Sequence, residues 1–420
     1  MKGTPVAHSS DTKRVGRKIG IFASIVVVAA LGLTACSAPN APTAGSTSTA
    51  KPAKASKPSK PIQLTILDGG GDLKGGGQAA IDAFVKANPD LVSGVSYQTA
   101  AATDVGGKLL AQSSGGAVTT SLVLGGPDVL GSLQKQKLLT TQLPAYASSL
   151  PDFTKIQDQG RSNFQKASNG QGILINYDQN GPFIDYQSPV TSSDAPNTPQ
   201  ALLAWAKANP GKFSYAQPAN SGSGRAFIET LPYILGDSNP SDPVHGWSKT
   251  WAYLKDLGKY VTSYPSSSSL LAQQFGGGQL RVIPTVISHD ISFRKAGTYP
   301  PDTGITLFKN QNWITDGHYS MIPAGVSPET LYVDLKLESY MVGEEAQKQR
   351  LSTGVLTTAN KNVTTENSGD QVKAFVEKWG RPDFYPEALK TGKVRVPLTP
   401  DALQNAFTIW QQNIGSSVGQ

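Results

Sequence analysis

Short apolar runs, the first of them alternating with polar residues at a period of two, predict a series of β-strands along the chain. Apolar residues that recur every three or four positions predict helices between these strands. The predicted strands cover residues 62–67, 95–99, 121–124, 171–177, 213–216, 279–286 and 318–323, and the predicted helices begin near residues 77, 105, 199, 221, 247, 327 and 399. Strands that alternate with helices are typical of an α/β fold with a largely parallel sheet.

The last predicted helix has the clearest core pattern. It follows Thr399-Pro400, a favourable pair for an N-cap and a first helical residue, and it places apolar residues at steps of four, three and four. These residues are Leu403, Phe407, Trp410 and Ile414. Because this spacing puts them on one face of the helix, we expect them to pack in the core rather than to contact a ligand.

The N-terminus has the three-part pattern of an export signal. A basic stretch precedes an uncharged, mostly apolar run over residues 19–33, which is shorter than the ~20 residues of a membrane span. The run leads into Leu33-Thr34-Ala35-Cys36, and Cys36 is the only cysteine of the chain. This tetrapeptide resembles the lipobox of bacterial lipoproteins, which implies cleavage before Cys36 and lipid attached to its sulfur. We therefore expect residues 1–35 to be a signal peptide and the mature protein to be exported and lipid-anchored to the outer face of the cell membrane.

Two other interpretations of this segment stay open. Cys36 is an ordinary thiol if the apolar run is an uncleaved anchor, and a conventional signal peptidase could cleave a few residues later. In all three cases a lone cysteine forms no internal disulfide, so the exported body depends on its hydrophobic core for stability.

Composition divides the rest of the chain into a tether and a body. Residues 36–61 consist largely of Ser, Ala, Pro, Thr and Lys and contain no aromatic residue, which predicts a disordered tether. Residues 62–420 exceed the length at which a single core stops growing, so two lobes are expected. The formal charge of +7 lies mostly in the signal and the tether, and the body is nearly neutral. A neutral body does not favour nucleic acid as a partner.

Several stretches of the body resemble family 1 extracellular solute-binding proteins of ABC importers. The stretches are the first strand with its glycine loop, Phe84-Val85-Lys86-Ala87-Asn88-Pro89, the strand at residues 173–177, residues 197–215, Phe275-Gly276-Gly277-Gly278-Gln279-Leu280-Arg281-Val282, and residues 318–347. Residues 197–215 are similar to a branch of thiamine-type and polyamine-type importers. The resemblance covers most of residues 62–350 and weakens over residues 351–420.

The resemblance implies a two-lobed periplasmic-binding-protein-like fold of type II, with strands that cross between the lobes and a ligand in the interlobe cleft. Residues 173–177 are the candidate for the first crossing and residues 285–290 for the second. The predicted lobe I comprises residues 62–175 and 289–350, and the predicted lobe II comprises residues 176–288 and 351–420. Closure of two such lobes is a hinge motion that buries the ligand.

Three loops at predicted strand ends or helix starts are candidate binding segments, because ligands sit beyond the carboxyl ends of strands in open parallel sheets. Glycines let the backbone approach a ligand closely, carboxylates can meet a cation, and a helix start with free amides favours an anionic group. The candidates are Asp68, Gly70, Gly71 and Asp72, then Asp128, then Ser221, Gly222, Ser223 and Arg225. Flexible turns and ordinary helix capping are the alternative interpretations.

The crossing region is the fourth candidate segment. Tyr177 could stack on a cationic or aromatic ligand, and Asp178 adds a carboxylate beside it. His289 and Asp290 follow the strand predicted to end near residue 286 and are read as hydrogen-bonding or structural residues. Trp313 and Tyr319 are weaker candidates with a core position as the alternative.

These segments predict a small polar ligand that is cationic or zwitterionic, such as a thiamine-like or polyamine-like compound. The expected partners are this solute, the permease subunits of an ABC transporter and, through the N-terminal lipid, the membrane. We expect a monomer with no cofactor, no bound metal and no catalytic residue.

Three alternative functions stay open. Iron-binding importer components use paired tyrosines with carboxylates, and this chain has 14 tyrosines but no adjacent pair. An exported hydrolase is disfavoured because no Gly-x-Ser-x-Gly, His-Glu-x-x-His or paired-cysteine pattern occurs. A purely structural surface lipoprotein is the third alternative, and it would lack a deep cleft.

Overall fold

A computed structural model describes residues 53–353 and 355–417. The signal peptide, Cys36 and most of the tether lie outside the described residues. The strands are β1 (Ile62–Asp68), β2 (Val92–Thr99), β3 (Leu122–Gly125), β4 (Ile173–Gly181), β5 (Phe183–Tyr186), β6 (Val282–Thr285), β7 (Gly304–Thr306), β8 (Asn312–Met321) and β9 (Lys393–Arg395).

The helices lie between these strands in the α/β order that the sequence predicts. They are α1 (Gln78–Ala87), α2 (Ala102–Ser114), α3 (Pro127–Lys135), α4 (Phe153–Ile156), α5 (Gln159–Ala167), α6 (Pro199–Ala208), α7 (Gly222–Leu235), α8 (Ser248–Gly258), α9 (Ser268–Gly276), α10 (Ile287–Lys295), α11 (Pro328–Met341), α12 (Glu344–Leu351), α13 (Asp370–Trp379), α14 (Tyr385–Ala388) and α15 (Pro400–Asn413). A π-helical turn covers Leu73–Gly77, and 3-10 turns cover Ala147–Ser149, Pro218–Asn220 and Gly415–Ser417.

The larger sheet of the described chain has six strands in the order β2-β1-β3-β8-β4, with β9 paired to β8. The pairs β1–β2, β1–β3 and β8–β9 are parallel, whereas β8 is antiparallel to both β3 and β4. The prediction of a largely parallel sheet is therefore right for β1, β2, β3 and β4, which share one direction, and wrong for β8, which runs the opposite way together with β9. The reason is that β8 enters this sheet from the opposite end, after the chain has visited a second sheet.

The second sheet is fully antiparallel, in the order β6-β5-β7. The predicted strand at residues 213–216 does not belong to it, because Phe213 forms only an isolated bridge with Val282. After that bridge the chain turns away, and the Gln217 amide donates to the Pro265 carbonyl instead of to a neighbouring strand. Residues 213–216 are all buried, and Phe213 and Tyr215 pack in a hydrophobic core and not in a paired strand.

The chain passes between the two sheets at two places. The first crossing joins β4 to β5, which follow each other almost directly. The predicted crossing strand at residues 173–177 is part of β4 and pairs within the six-stranded sheet, so the passage itself comes a few residues later, after Gly181. The predicted second crossing at residues 285–290 is wrong, because α10 begins at Ile287 and β7 still pairs with β5. Buried Ile287 and Ile291 are four residues apart, which is helical spacing. The return to the six-stranded sheet comes later, between β7 and β8. The residue boundaries of the two lobes stay a prediction.

Separate hydrophobic clusters support the two sheets. The six-stranded sheet is covered on both faces, since Leu64 and Ile66 of β1 pack in one cluster and Leu67 in another. The three-stranded sheet packs against a cluster of aromatic residues that includes the buried face of α15. Leu403, Phe407, Trp410 and Ile414 are all buried there, which confirms the predicted core role of the last helix. Rigid packing on each side leaves the polar ends of β4 and β8 free to line a cleft.

Candidate ligand-binding cleft

A cleft of about 740 Å3 opens beyond the carboxyl ends of β1 and β3. Its walls come from the turn after β1, the starts of α3, α7 and α10, and polar residues of β4 and β8. The cleft thus lies where ligands bind in open α/β sheets. The glycine turn at Gly69–Asp72 and the helix start at Ser221–Arg225 face the same cavity. Two segments that bind one ligand must meet in this way.

Asp68 holds the glycine turn from beneath. One of its carboxylate oxygens accepts the amides of Gly70, Gly71 and Asp72 at 2.9–3.1 Å, and the other accepts the Leu73 amide at 3.0 Å. Burial and the nearby Asp72 charge raise the pKa of Asp68, while these amides oppose the shift. Asp68 therefore positions the turn and is buried below it. A Cβ at Gly70 would lie 2.9 Å from the His318 ring, so only glycine fits there.

Asp72 connects the turn to two cations. Its Oδ2 lies 2.6 Å from His318 Nδ1, and its Oδ1 accepts from Arg350 Nη2 at 3.2 Å. Burial would raise the pKa of Asp72, but the His318 and Arg350 charges outweigh it and lower the pKa. Burial likewise opposes the charge on His318, yet Asp72 raises the pKa of His318 to about 9. The ring is therefore cationic at neutral pH, and one carboxylate faces two positive groups.

Arg225 occupies the helix start on the opposite wall. Ser221 caps α7 by accepting the Gly224 amide at 3.1 Å, so the capping interpretation of this serine is correct. The Arg225 guanidinium contacts Asp316 at 2.6 Å and Asp128 at 3.7 Å. Burial disfavours the charge, but these two carboxylates raise the pKa of Arg225 above its usual value. The arginine is thus neutralised by protein groups before any ligand enters.

A row of polar side chains on β4 forms the floor of the cleft. Asn176, Asp178 and Asn180 alternate along the strand, and all three line the cavity. The antiparallel register places Asp178 directly opposite Asp316. Asp178 Oδ1 accepts from the Thr357 hydroxyl at 3.0 Å, whereas its buried Oδ2 has no hydrogen-bond partner among the described residues. Burial raises the pKa of Asp178 to about 7; the Thr357 hydroxyl opposes this rise and the Asp316 charge adds to it.

His289 lies in the first turn of α10, and its ring faces the cleft as a neutral group. Burial lowers its pKa to about 4, and the positive charges of Arg225 and His318 act in the same direction. Within the part of the chain that the structure covers, its buried Nδ1 has no hydrogen-bond partner. The ring centroid lies 5.3 Å from that of Phe293. His289 can therefore offer a hydrogen bond to a solute without adding charge.

The cleft brings together most of the residues that the sequence analysis proposed. Those that line it are Gly70, Gly71, Asp72, Asp128, Asp178, Ser221, Gly222, Arg225 and His289. Their contact with a ligand stays a prediction. Ser223 is buried beside Ser221, to which its hydroxyl is hydrogen-bonded at 3.0 Å.

Tyr177 and Asp290 are used elsewhere, which corrects two predicted contacts. The Tyr177 ring packs edge-on against Phe164 and under the Arg161 guanidinium, because it points to the opposite face of β4 from Asp178. Asp290 forms paired hydrogen bonds with Arg294 and Arg381 and accepts the Tyr385 hydroxyl at 2.6 Å. It is a structural anchor for the C-terminal segment.

Trp313 and Tyr319 take the core positions that were the alternative in the sequence analysis. Trp313 packs against Phe183, and Tyr319 stacks on Phe164. Residues that the sequence analysis did not propose also line the cleft, among them Asn176, Asn180, Asp316, His318 and Arg350. The alternation of polar residues along an otherwise buried strand would have indicated the first of these.

Two further features concern metal binding and membrane spans. Within residues 53–353 and 355–417, no group of three or more histidine, cysteine or acidic side chains is arranged to hold a metal ion. Across the same part of the chain, no helix combines the length and the apolar character that a membrane span requires.

Comparison with known proteins decides the family. A family model described as bacterial extracellular solute-binding protein matches residues 79–379. The chain belongs to this family. A curated relative, the protein YnjB of Escherichia coli K12, is 29% identical over 145 residues, which cover 31% of this solute-binding protein and 37% of the relative. The match thus spans little more than a third of the length of that relative.

Solved structures agree on the fold of this solute-binding protein. A Listeria monocytogenes protein titled as a candidate spermidine/putrescine ABC transporter has a TM-score of 0.57 at 15% identity, over 83% of this chain and 98% of that one. The iron-bound HitA of Pseudomonas aeruginosa has a TM-score of 0.58 at 15% identity, over 86% and 100%. At such identities the similarity shows the fold alone, and it confirms the two-lobed type II periplasmic-binding-protein fold.

Proposed function

We propose that this protein is the solute-binding component of an ABC importer and captures a small polar organic solute, cationic or zwitterionic, in the cleft. The observation that carries the proposal is Asp178. Its carboxylate is buried in the cavity, and its Oδ2 has no hydrogen-bond partner within the described chain. An unpartnered buried carboxylate is costly unless a donor arrives to satisfy it. A cationic group of the solute supplies that donor.

The rest of the cleft supports the same proposal. Arg225 is neutralised by Asp316 and Asp128, so it offers little attraction to an inorganic anion. The chemistry of capture is binding and closure, with the solute leaving unchanged for the permease. We also propose that the protein acts as a monomer, exported and tethered to the membrane, with an N-terminal segment that lets the body move near its transporter.

A melting-temperature screen of the full chain tests the proposed ligand class. Cationic and zwitterionic organic solutes are expected to raise the Tm, because a ligand that binds only the native state stabilises it. Asp178→Asn is expected to weaken the binding of the best solute at least about tenfold, since a buried charge loses its partner. Stabilisation by sugars, inorganic anions or ferric iron alone would contradict the proposal.

Asp185→Asn is the matched control for this experiment. Asp185 is also a fully buried carboxylate whose two oxygens lack hydrogen-bond partners in the described chain, and burial raises its pKa well above the usual value. It lies on β5, in the smaller sheet. Its substitution is expected to leave solute binding unchanged. The variant therefore shows whether replacing any buried carboxyl by an amide, outside the cleft, affects binding.

The lipid anchor has a test of its own. Cys36→Ala is expected to release the protein into the medium or to leave it uncleaved, because the sulfur that would carry the lipid is removed. Cell fractionation together with metabolic labelling by a radioactive fatty acid measures both results. A membrane form that still carries lipid label would reject the anchor at Cys36.

A further inference from the structure

The charged side chains of the cleft form two groups of opposite net charge. At the glycine turn, Asp72 faces His318 and Arg350, so one carboxylate meets two cations. Lys74 lines the cavity at the same end. This group is the cationic end of the cleft.

The acidic end is formed around Arg225. That one cation contacts Asp316 and Asp128, and Asp178 lies opposite Asp316 across the β4–β8 pair. Two carboxylates therefore share a single arginine, and a third carboxylate lies beside them. Because both ends are lined by buried groups, water screens their fields weakly, and the cleft carries a dipole.

Unpartnered polar atoms at the two ends match these charges. At the cationic end, Nε and Nη1 of Arg350 are buried without a hydrogen-bond acceptor among the residues described. At the acidic end, Asp178 Oδ2 is buried without a donor among those same residues. Asn176 Oδ1 also lacks a donor in the described chain, but its residue lies opposite His318 in the strand register. The free donors of Arg350 thus lie at one end and the free carboxylate oxygen of Asp178 at the other. Buried polar groups in native proteins are normally hydrogen-bonded, so each set calls for a partner.

The two ends are close enough for one small molecule to reach both. Asp316 and His318 lie two residues apart on β8, which corresponds to a spacing of about 7 Å along a strand. The chain that leaves Arg350 continues along the cleft through Thr353 and Val355, and Thr357 then donates to Asp178. A single wall therefore runs from the free donors of Arg350 to the free oxygen of Asp178.

We infer that the solute is a two-ended zwitterion whose ammonium group binds Asp178 and whose carboxylate binds Arg350. This inference rests on the proposed function and names its ligand class. A diamine would place its second cation beside Arg350, His318 and Lys74. A dicarboxylate would place an anion beside Asp178 and Asp316. A neutral solute of the same length would leave the free donors of Arg350 and the free oxygen of Asp178 without a charged partner.

A matched series of four-carbon solutes tests the inference on the full chain. The series is 4-aminobutyrate, putrescine, succinate and 1,4-butanediol, which share one chain length and differ in their end groups. Titration calorimetry is expected to give the zwitterion at least about tenfold tighter binding than each of the other three. Tighter binding of the diamine, the diacid or the diol would overturn the inference, as would binding confined to solutes that are not zwitterions.

Variants at the two ends supply the second measurement. Asp178→Asn and Arg350→Gln are each expected to weaken zwitterion binding at least about tenfold. If the glutamine variant folds poorly, Arg350→Lys replaces it, because lysine keeps the charge and much of the packing. This variant is expected to retain part of the affinity. Arg395→Gln is the control, because Arg395 contacts Tyr233 and Asn312 outside the cleft.

The outcomes separate this inference from the proposed function. If putrescine binds best and Arg350→Gln improves its binding, the protein captures a cation and only the zwitterion inference fails. If the zwitterion binds but Arg350→Gln leaves its affinity unchanged, the assignment of the carboxylate to Arg350 is wrong. If the folded protein binds no organic solute in the series or in the wider screen, both the inference and the proposed function fail.

Discussion

Replacing Arg225 with methionine is expected to destabilise the fold by about 3–5 kcal/mol, because it breaks a buried ion pair from one side. Asp316 would keep its charge in the cleft after losing its cation at 2.6 Å, and Asp128 would lose its cation at 3.7 Å. The Arg225 charge is also the main influence that lowers the pKa of Asp316 against its burial. Urea unfolding of the full chain measures the loss.

A double variant separates the lost charge pair from lost packing. Asp316→Asn in the Arg225→Met background is expected to restore part of the stability, since no uncompensated charge remains. Arg281→Met is the matched control. Arg281 is more exposed and donates to the Ser188 carbonyl at 2.8 Å, so its replacement should change stability by no more than about 0.5 kcal/mol. A loss below about 1 kcal/mol for Arg225→Met would show that the contact is weak.

The Arg225 pair also joins elements that belong to different parts of the fold. Arg225 lies on α7, which packs in the aromatic core beside the three-stranded sheet, whereas Asp128 starts α3 on the six-stranded sheet. Losing this contact is therefore expected to loosen the cleft as well as to lower stability. Solute affinity in the variant should fall through a reduced population of the closed cleft.

The sequence was sufficient to predict the candidate site wherever local patterns determine it. The glycine turn and the start of α7 could be found because a strand end and a helix cap are visible in a few residues. The alternation of Asn176, Asp178 and Asn180 was visible as well, and it was sufficient to exclude the predicted Tyr177 contact. Neighbouring strand residues point to opposite faces, so Tyr177 and Asp178 could not both enter the cleft.

The cationic end could not be predicted because its contacts are distant in sequence. Asp72 meets His318 across 246 positions and Arg350 across 278 positions. Neither Arg350 nor its helix α12 carries a local signal for a binding site, since an arginine in the last turn of a helix is ordinary. The second crossing was misplaced for a related reason: β7 is three residues long and too short to be seen as a strand.

Solute binding is expected to weaken about a hundredfold between pH 8 and pH 5, because Asp178 must be ionised to bind an ammonium group. With the pKa of Asp178 at about 7 in the empty cleft, the carboxylate is mostly charged at pH 8 and about 1% charged at pH 5. The pKa is raised above its usual value, so affinity falls as the pH falls through 7. Titration calorimetry at each pH measures the change.

The two histidines of the cleft leave this pH range to Asp178, whereas Glu229, which lies behind Arg225 and does not line the cleft, has its pKa raised by burial to about 8. His318, with a pKa of about 9, stays cationic from pH 5 to pH 8, and His289, with a pKa of about 4, stays neutral. The charges of Asp316 and Arg161 and the Thr357 hydroxyl also influence Asp178. Asp316 stays ionised over this range because its pKa is lowered. A bound ammonium group keeps Asp178 ionised, so about one proton should be released per solute at pH 6 and almost none at pH 8.5.

Proton release, measured together with the Asp178→Asn variant, distinguishes Asp178 from other buried acids that titrate near neutral pH, such as Glu229. Calorimetry in two buffers of different ionisation enthalpy counts the protons, and Asp178→Asn should bring the count at pH 6 close to zero while flattening the affinity profile. Asp185→Asn, the buried acid of β5, should leave both unchanged. An affinity that rises as the pH falls would mean that the solute meets the cationic end alone. Because proton release depends on a cation replacing a proton at one carboxylate, it would identify where the ammonium group binds even before the solute itself is known.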